Sequence, residues 1–199
     1  SVPMILASVF QQMYNAVDSI IVGQFVGANA LAAVGAAFPA MFLAMSVLIG
    51  ITMGVQIIIS QLFGAGEHER MRATFATSII SLMILVVIAS VIGYFASGTI
   101  LELMNTPPEI IADSKAYLDE IFKGLIFMFL YNLYTSVLRG VGDSKTPLYF
   151  LIISSILNIV LDLVYVIQFG MGVRGVAVAT VQSQAVSVIL CIIYTNIRI

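Results

Sequence analysis

Two aspartates stand where this chain can least carry a charge. Asp18 lies deep in the apolar stretch Pro3–Val26, and Asp162 lies deep in Leu148–Phe169. Both stretches are long enough to cross a bilayer. An ionised carboxylate at the bilayer centre costs at least about 2.5–3.5 kcal/mol, so each must be neutral, paired or turned to a wet cavity. No lysine or arginine lies within the core of any apolar stretch to pair with them. A proton or a bound cation is the simplest remaining way to neutralise them. Two aspartates sharing a site have the chemistry to take up and release a proton, or to hold Na⁺ between hard oxygen ligands.

The polar neighbours suit that reading. Asn158 is four residues before Asp162, so the two side chains share a helix face. Tyr14 and Gln11 stand four and seven residues before Asp18, again on one face. Thr180, Ser183 and Gln184 add oxygens on the last apolar stretch. The plainer reading is that these groups only hydrogen-bond helices together. It serves Gln11, Tyr14, Ser183 and Gln184 as well as the first, and the aspartates less well, because such bonding needs no ionisable group.

The elements that must position these residues are membrane spans. The 199 residues are 61% hydrophobic and 9% charged, against about 25% charged in an ordinary soluble domain. Lipid is therefore the expected solvent for much of the surface, and the chain is not expected to be soluble as a monomer. Runs of sufficient length are Pro3–Val26, Leu31–Leu62, Phe75–Leu101, Leu118–Leu138, Leu148–Phe169 and Val176–Ile197. Backbone in lipid must be hydrogen-bonded within itself, and these runs are too long and continuous for barrel strands. The fold class is an all-α integral membrane protein, one six-helix transmembrane bundle over residues 1–199.

Gly-Ala-Asn at 27–29, Gly-Ala-Gly at 64–66 and Gly-Met-Gly at 170–172 read as turns. The polar stretch Met104–Lys115 reads as a surface loop with a short helix starting near Pro107 and Pro108. Gly23–Gly27 and Gly50–Gly54 have the spacing that lets membrane helices approach closely. Pro3 opens the first span, either as an N-terminal helix residue or as a bend. Phe127, Phe129, Tyr131 and Tyr134 read mainly as bundle filler or interface anchors. A minority alternative places some of them in an organic-cation pocket.

Arg70, Arg72, Arg139, Lys145 and Arg198 fall on one side of this topology, and Lys115, Lys123 and Arg174 on the other. The excess places both termini and the loops around His68 and Asp143 in the cytoplasm. Cys191 is the single cysteine, so no intrachain disulfide is possible, and the lone His68 has no metal-ligand cluster around it. A net charge of −2 with no basic stripe gives nucleic acid no purchase. No His-Glu-x-x-His and no nucleophile–histidine pairing points to an intramembrane enzyme. Beginning at Ser1 in a long apolar run, the sequence is expected to be part of a longer chain rather than one trimmed of a signal peptide.

Several motifs resemble a known family. Gln11-Gln12-Met13-Tyr14-Asn15-Ala16-Val17-Asp18, then Val22-Gly23 and Gly27-Ala28-Asn29-Ala30-Leu31-Ala32-Ala33-Val34-Gly35, are similar to the start of a multidrug and toxic compound extrusion (MATE) transporter. So are Leu138-Arg139-Gly140-Val141-Gly142-Asp143-Ser144-Lys145-Thr146-Pro147, Asn158-Ile159-Val160-Leu161-Asp162 and Gly170-Met171-Gly172-Val173 with Gly175-Val176-Ala177-Val178-Ala179-Thr180. They fall in family order and spacing over essentially the whole chain.

The resemblance implies the N-terminal lobe of a twelve-span, two-lobed antiporter of a bacterial or archaeal inner membrane. Such transporters export organic cations and amphipathic drugs in exchange for H⁺ or Na⁺, with no cofactor beyond the coupling ion. It further implies a cation site of Asp18, Asn158, Asp162 and Thr180, a drug cavity faced by Gln11 with Tyr14 and Gln184 nearby, and a hinge at Pro3. The Asn-x-x-x-Asp form at 158–162 is similar to the DinF-like branch, which puts H⁺ first and Na⁺ second. Leu163 stands where the family often has proline, which leaves the helix shape there open. The expected partners are a drug or organic cation, membrane lipid, and a missing C-terminal lobe or a second copy. Two rivals stay in view: a lipid-linked oligosaccharide flippase of the same superfamily, and a membrane scaffold that transports nothing.

Overall fold

A computed structural model describes residues 2–198, the side chains of residues 2–4, 8 and 198 apart. The chain is helical almost throughout, in six antiparallel helices. They are α1 (Val2–Ile21, prolonged by a π-helical turn at Val22–Val26), α2 (Ala28–Gly64) and α3 (His68–Leu103). Then come α4 (Pro108–Gly140), α5 (Lys145–Leu163, prolonged by a π-helical turn at Val164–Gln168) and α6 (Gly172–Arg198). Among the described residues, α2 to α6 are each long and apolar enough to cross a membrane.

The helices outrun the apolar runs. At 1.5 Å per residue α2 is about 55 Å long, well beyond a hydrocarbon core of roughly 30 Å. Hydropathy marks only the part that dissolves in lipid, whereas the helix continues until a residue stops it. The stretch 104–115 shows this: the separate short helix expected there is absent. Pro108 opens α4 at its first position, Glu109 sits in the first turn, and one uninterrupted helix runs to Gly140. Proline at that position costs no hydrogen bond, since the first amides of a helix have no partner within it. The break before it closes on Asn105, whose φ of 54° is left-handed. A single residue, Gly27 at φ 125°, separates the π turn of α1 from α2.

Helix α4 is the hub, packed against α2, α3 and α6. Its buried residues run from Ile110 to Leu138 and include Phe129 and Leu133 at 0% exposure. Helix α3 lies outside and turns Ile80, Ile84 and Phe95 outward, as a lipid-facing helix does. Polar ties join the layers: Ser114 Oγ donates to the Ala33 carbonyl at 3.1 Å, and Ser90 Oγ to that of Phe122. At one end, Asp119 accepts from Ser97 and, at 2.6 Å, from Lys115. Beside it, Glu120 accepts from Lys123 at 3.0 Å and from Arg174 at 2.9 Å, so α3, α4 and α6 are laced together.

The close approaches are not at the glycine pairs expected from spacing. Added Cβ atoms at Gly27, Gly50 and Gly54 would meet nothing within 4 Å, and one at Gly23 would make only an ordinary 3.4 Å contact with Leu31. The tight approaches are Gly93 under Phe122, Gly124 under Val181, Gly140 against Gln56 and Ile59, and Gly175 against Met171 and Tyr165. Spacing of four on one helix says nothing about whether a partner lies over that face.

Candidate functional site

Helices α1 and α5 pack together, and their π turns touch. Each turn follows shortly after an aspartate: Val22–Val26 after Asp18, and Val164–Gln168 after Asp162. Despite Leu163, the helix is thus irregular just beyond Asp162 even without a proline. A π turn widens the helix by a residue and is frequent at functional sites.

The two carboxyl groups lie within hydrogen-bond reach of each other. Asp162 is 0% and Asn158 1% exposed. With its amide nitrogen toward Asp162, Asn158 donates to Oδ2 at 2.9 Å, while its oxygen accepts from the Thr180 backbone N–H at 3.1 Å. Tyr14 Oη is 3.4 Å from Thr180 Oγ1. Tyr117 of α4, buried, is close enough to feel the charge of both aspartates. The Oδ1 atoms of Asp18 and Asp162 are buried without a hydrogen-bond partner. No Lys or Arg forms an ion pair with either aspartate among the described residues. A fully buried and a half-buried carboxyl group in contact, each with a buried, orphaned oxygen, are an arrangement that a proton or a small cation satisfies.

A cavity of about 400 Å³ adjoins the pair. One wall is polar, from Gln11, Tyr14, Asn15, Asp18 and Ser19 of α1 with Thr180 and Gln184 of α6. The facing wall is soft and apolar, from Phe38, Met41 and Met45 of α2 and Met128 of α4, and Tyr117, Tyr131 and Asn132 of α4 close it. Asp18 and Thr180 reach the cavity, whereas Asn158 and Asp162 are behind its wall. Asp18 thus belongs to both the cavity and the buried acidic pair.

Of the residues singled out by sequence, Asp18, Asp162, Asn158, Thr180 and Tyr14 come together here, with Gln11 and Gln184 on the cavity wall. Ser183 does not join them. Its hydroxyl donates to the Thr180 carbonyl at 2.9 Å and its own carbonyl accepts from Ser154 at 3.3 Å, an α5–α6 packing contact. Of the four aromatics, Tyr131 alone lines the cavity: Phe129 is in the core, Phe127 is partly exposed, and Tyr134 packs edge-on against Phe75. The Pro3 side chain lies outside the described residues. Tyr117, Asn132 and the methionines were not anticipated. Asn132, an amide in the middle of the fourth apolar run, is the one whose polarity could have marked it.

Comparisons with known proteins follow the same lines. The MatE family model matches residues 3–164. "Probable multidrug resistance protein YoeA" of Bacillus subtilis is 40% identical over 99% of this chain and 43% of its own length. A crystal structure of a MATE protein in a bent conformation superposes with a TM-score of 0.88 at 30% identity, over 98% of this chain and 43% of that one. A transporter of the MOP superfamily from Pyrococcus furiosus, described as having a binding pocket of reversed polarity, gives 0.92 at 27% identity, over 99% and 43%. The chain therefore spans less than half the length of these relatives.

Proposed function

The chain belongs to the MATE family of multi-pass membrane transporters, not to an enzyme family, and we propose that it forms the N-terminal lobe of a cation-coupled efflux antiporter for organic cations or amphipathic drugs. The observation that carries this reading is the double membership of Asp18: it lines a cavity with one soft apolar wall and also touches a buried second carboxylate. A cationic substrate in the cavity and a proton or Na⁺ at the pair compete to neutralise the same group. Antiport follows from that competition. Substrate is held while Asp18 is ionised, and it is released once an ion from outside satisfies the pair.

The π turns on α1 and α5 give the change a place to act, because a widened helix turn needs little more to shift register. An ion binding the outward state 100-fold tighter than the inward state would move that equilibrium by about 2.7 kcal/mol. H⁺ is the first choice of ion and Na⁺ the second. Alternating access needs a second half, either a C-terminal lobe or another copy. The positive-inside excess puts both termini in the cytoplasm of a bacterial or archaeal cell. In support, the α2–α3 turn, the α4–α5 turn and Tyr194 of α6 meet at one end of the bundle.

The flippase alternative calls for cationic residues in the cavity, and among the described residues no lysine or arginine lines it. A scaffold has no use for a carboxylate shared between a cavity and a buried acid. The deciding experiment is pH-driven export in the full-length protein carrying Asp18→Asn or Asp162→Asn. Both should insert normally and lose coupled export; an unchanged pH dependence in both would overturn the coupling site.

A further inference from the structure

At the end of the bundle away from the Asp119–Glu120 ties, a cleft of about 250 Å³ opens between the α2–α3 turn, the α4–α5 turn and α6. Its floor is apolar, from Phe63, Met71 and Leu138. Its rim carries Arg72 and His68, the imidazole packed edge-on against Phe63 at 5.7 Å between ring centroids. Arg72 is exposed and has no carboxylate partner among the described residues. The one acid in the cleft, Asp143, keeps its charge but has both oxygens engaged: it accepts from Tyr194 Oη and Thr146 Oγ1, both at 2.7 Å, and from the Thr146 amide at 3.1 Å. Of the other acids nearby, Glu67 is held by Arg70 at 2.6 Å and Glu69 does not line the cleft.

The two ends of the bundle differ in this respect. At the opposite end Lys115, Lys123 and Arg174 are each paired with Asp119 or Glu120. At this end Arg70 is paired with Glu67, but Arg72, Arg139 and Lys145 have no carboxylate partner among the described residues. The cleft lies where apolar helices give way to turns, the place at which a membrane's headgroups would meet them, and an arginine without an ion pair beside an apolar floor suits an anionic headgroup.

We propose that this cleft binds an anionic phospholipid, its phosphate held by Arg72 and His68 and the start of its acyl region lying on Phe63, Met71 and Leu138. A free anion would meet the arginine but has no use for the apolar floor, and an acyl chain alone would leave the arginine unused. The occupant has both parts. It would also bridge the α2–α3 turn to the α4–α5 turn, which belong to different helix pairs.

Native mass spectrometry of the full-length protein in mild detergent tests this, with phosphatidylglycerol and phosphatidylcholine supplied in equal amounts. Unaltered protein should retain phosphatidylglycerol preferentially. Arg72→Gln should lower that preference about fivefold, the equivalent of about 1 kcal/mol for one basic group. His68→Gln should lower it less, and Arg174→Gln at the other end should leave it alone. Equal retention of the two lipids, or a preference untouched by Arg72→Gln, overturns the proposal. So does displacement of the lipid by inorganic phosphate at matching concentration, which would make this a free-anion site.

Discussion

Asp18 faces a cavity, and Asp162, fully buried behind it, lies within hydrogen-bond reach of its carboxyl group. The two aspartates therefore have different neighbours although they share one site. Of the two, only Asp18 is placed to touch a molecule in the cavity; Asp162 is reached through Asp18, or through Thr180 and Asn158.

That difference predicts a split between binding and coupling. Asp18→Asn should weaken binding of a monocationic dye by about 10- to 100-fold, the range for a hydrogen bond to a charged group. Asp162→Asn should leave dye affinity within about twofold while losing pH-driven export. Equilibrium dye titration and vesicle transport on the same full-length variants measure both quantities. Equal losses of affinity in the two variants would remove the distinction.

Packing makes a separate prediction that does not depend on function. A Cβ at Gly124 would overlap Val181, whereas one at Gly54 would enter open space. Gly124→Ala should destabilise by about 1–3 kcal/mol through overpacking. Gly54→Ala should be neutral or stabilising by up to about 1 kcal/mol, because alanine is the better helix former. Adding Val181→Ala to Gly124→Ala should restore much of the loss. Thermal unfolding in detergent, followed by circular dichroism, reads all three.

The α4–α5 turn carries a pH-dependent contribution of known sign. Partial burial pushes the Asp143 carboxyl up, but hydrogen bonds from Tyr194 and Thr146 and from the amides of Thr146 and Lys145 outweigh it and hold it below its ordinary value. A carboxylate lowered on folding stabilises fully above its unfolded pKa and loses that contribution as pH falls through the lowered one. Tyr194→Phe should therefore reduce the melting temperature near neutral pH and converge on the unaltered protein in acid. Parallel curves across the whole range would show that Tyr194 acts on stability by another route.

How much of this was legible beforehand differs element by element. Asp18, Asn158 and Asp162 announced themselves, because polar groups in an apolar run violate the local solvent and spacing of four assigns a shared face. Ser183, on the same grounds, pointed to the site, but its hydroxyl turns back to the Thr180 carbonyl of its own helix, and α5 reaches only its backbone carbonyl, through Ser154. A hydroxyl in lipid finds the nearest acceptor, and here that is a carbonyl one turn back on the same helix. Tyr117 and the methionine wall were invisible, since in an apolar chain tyrosine and methionine are unremarkable wherever they occur.

By itself the sequence determined the solvent, the helical class, the order of the helices and the acids that hydrocarbon cannot leave charged. Each of these is local, set by hydropathy over about 20 residues or by the cost of one buried charge. Only the tertiary structure decided which faces meet: α4 as the hub, Gly93, Gly124 and Gly140 as the close crossings, and Asp162 hidden behind Asp18. In water an amphipathic pattern would have betrayed the inner face of each helix. In lipid both faces are apolar, so the pattern that tells inside from outside is missing, and the packing itself had to supply it.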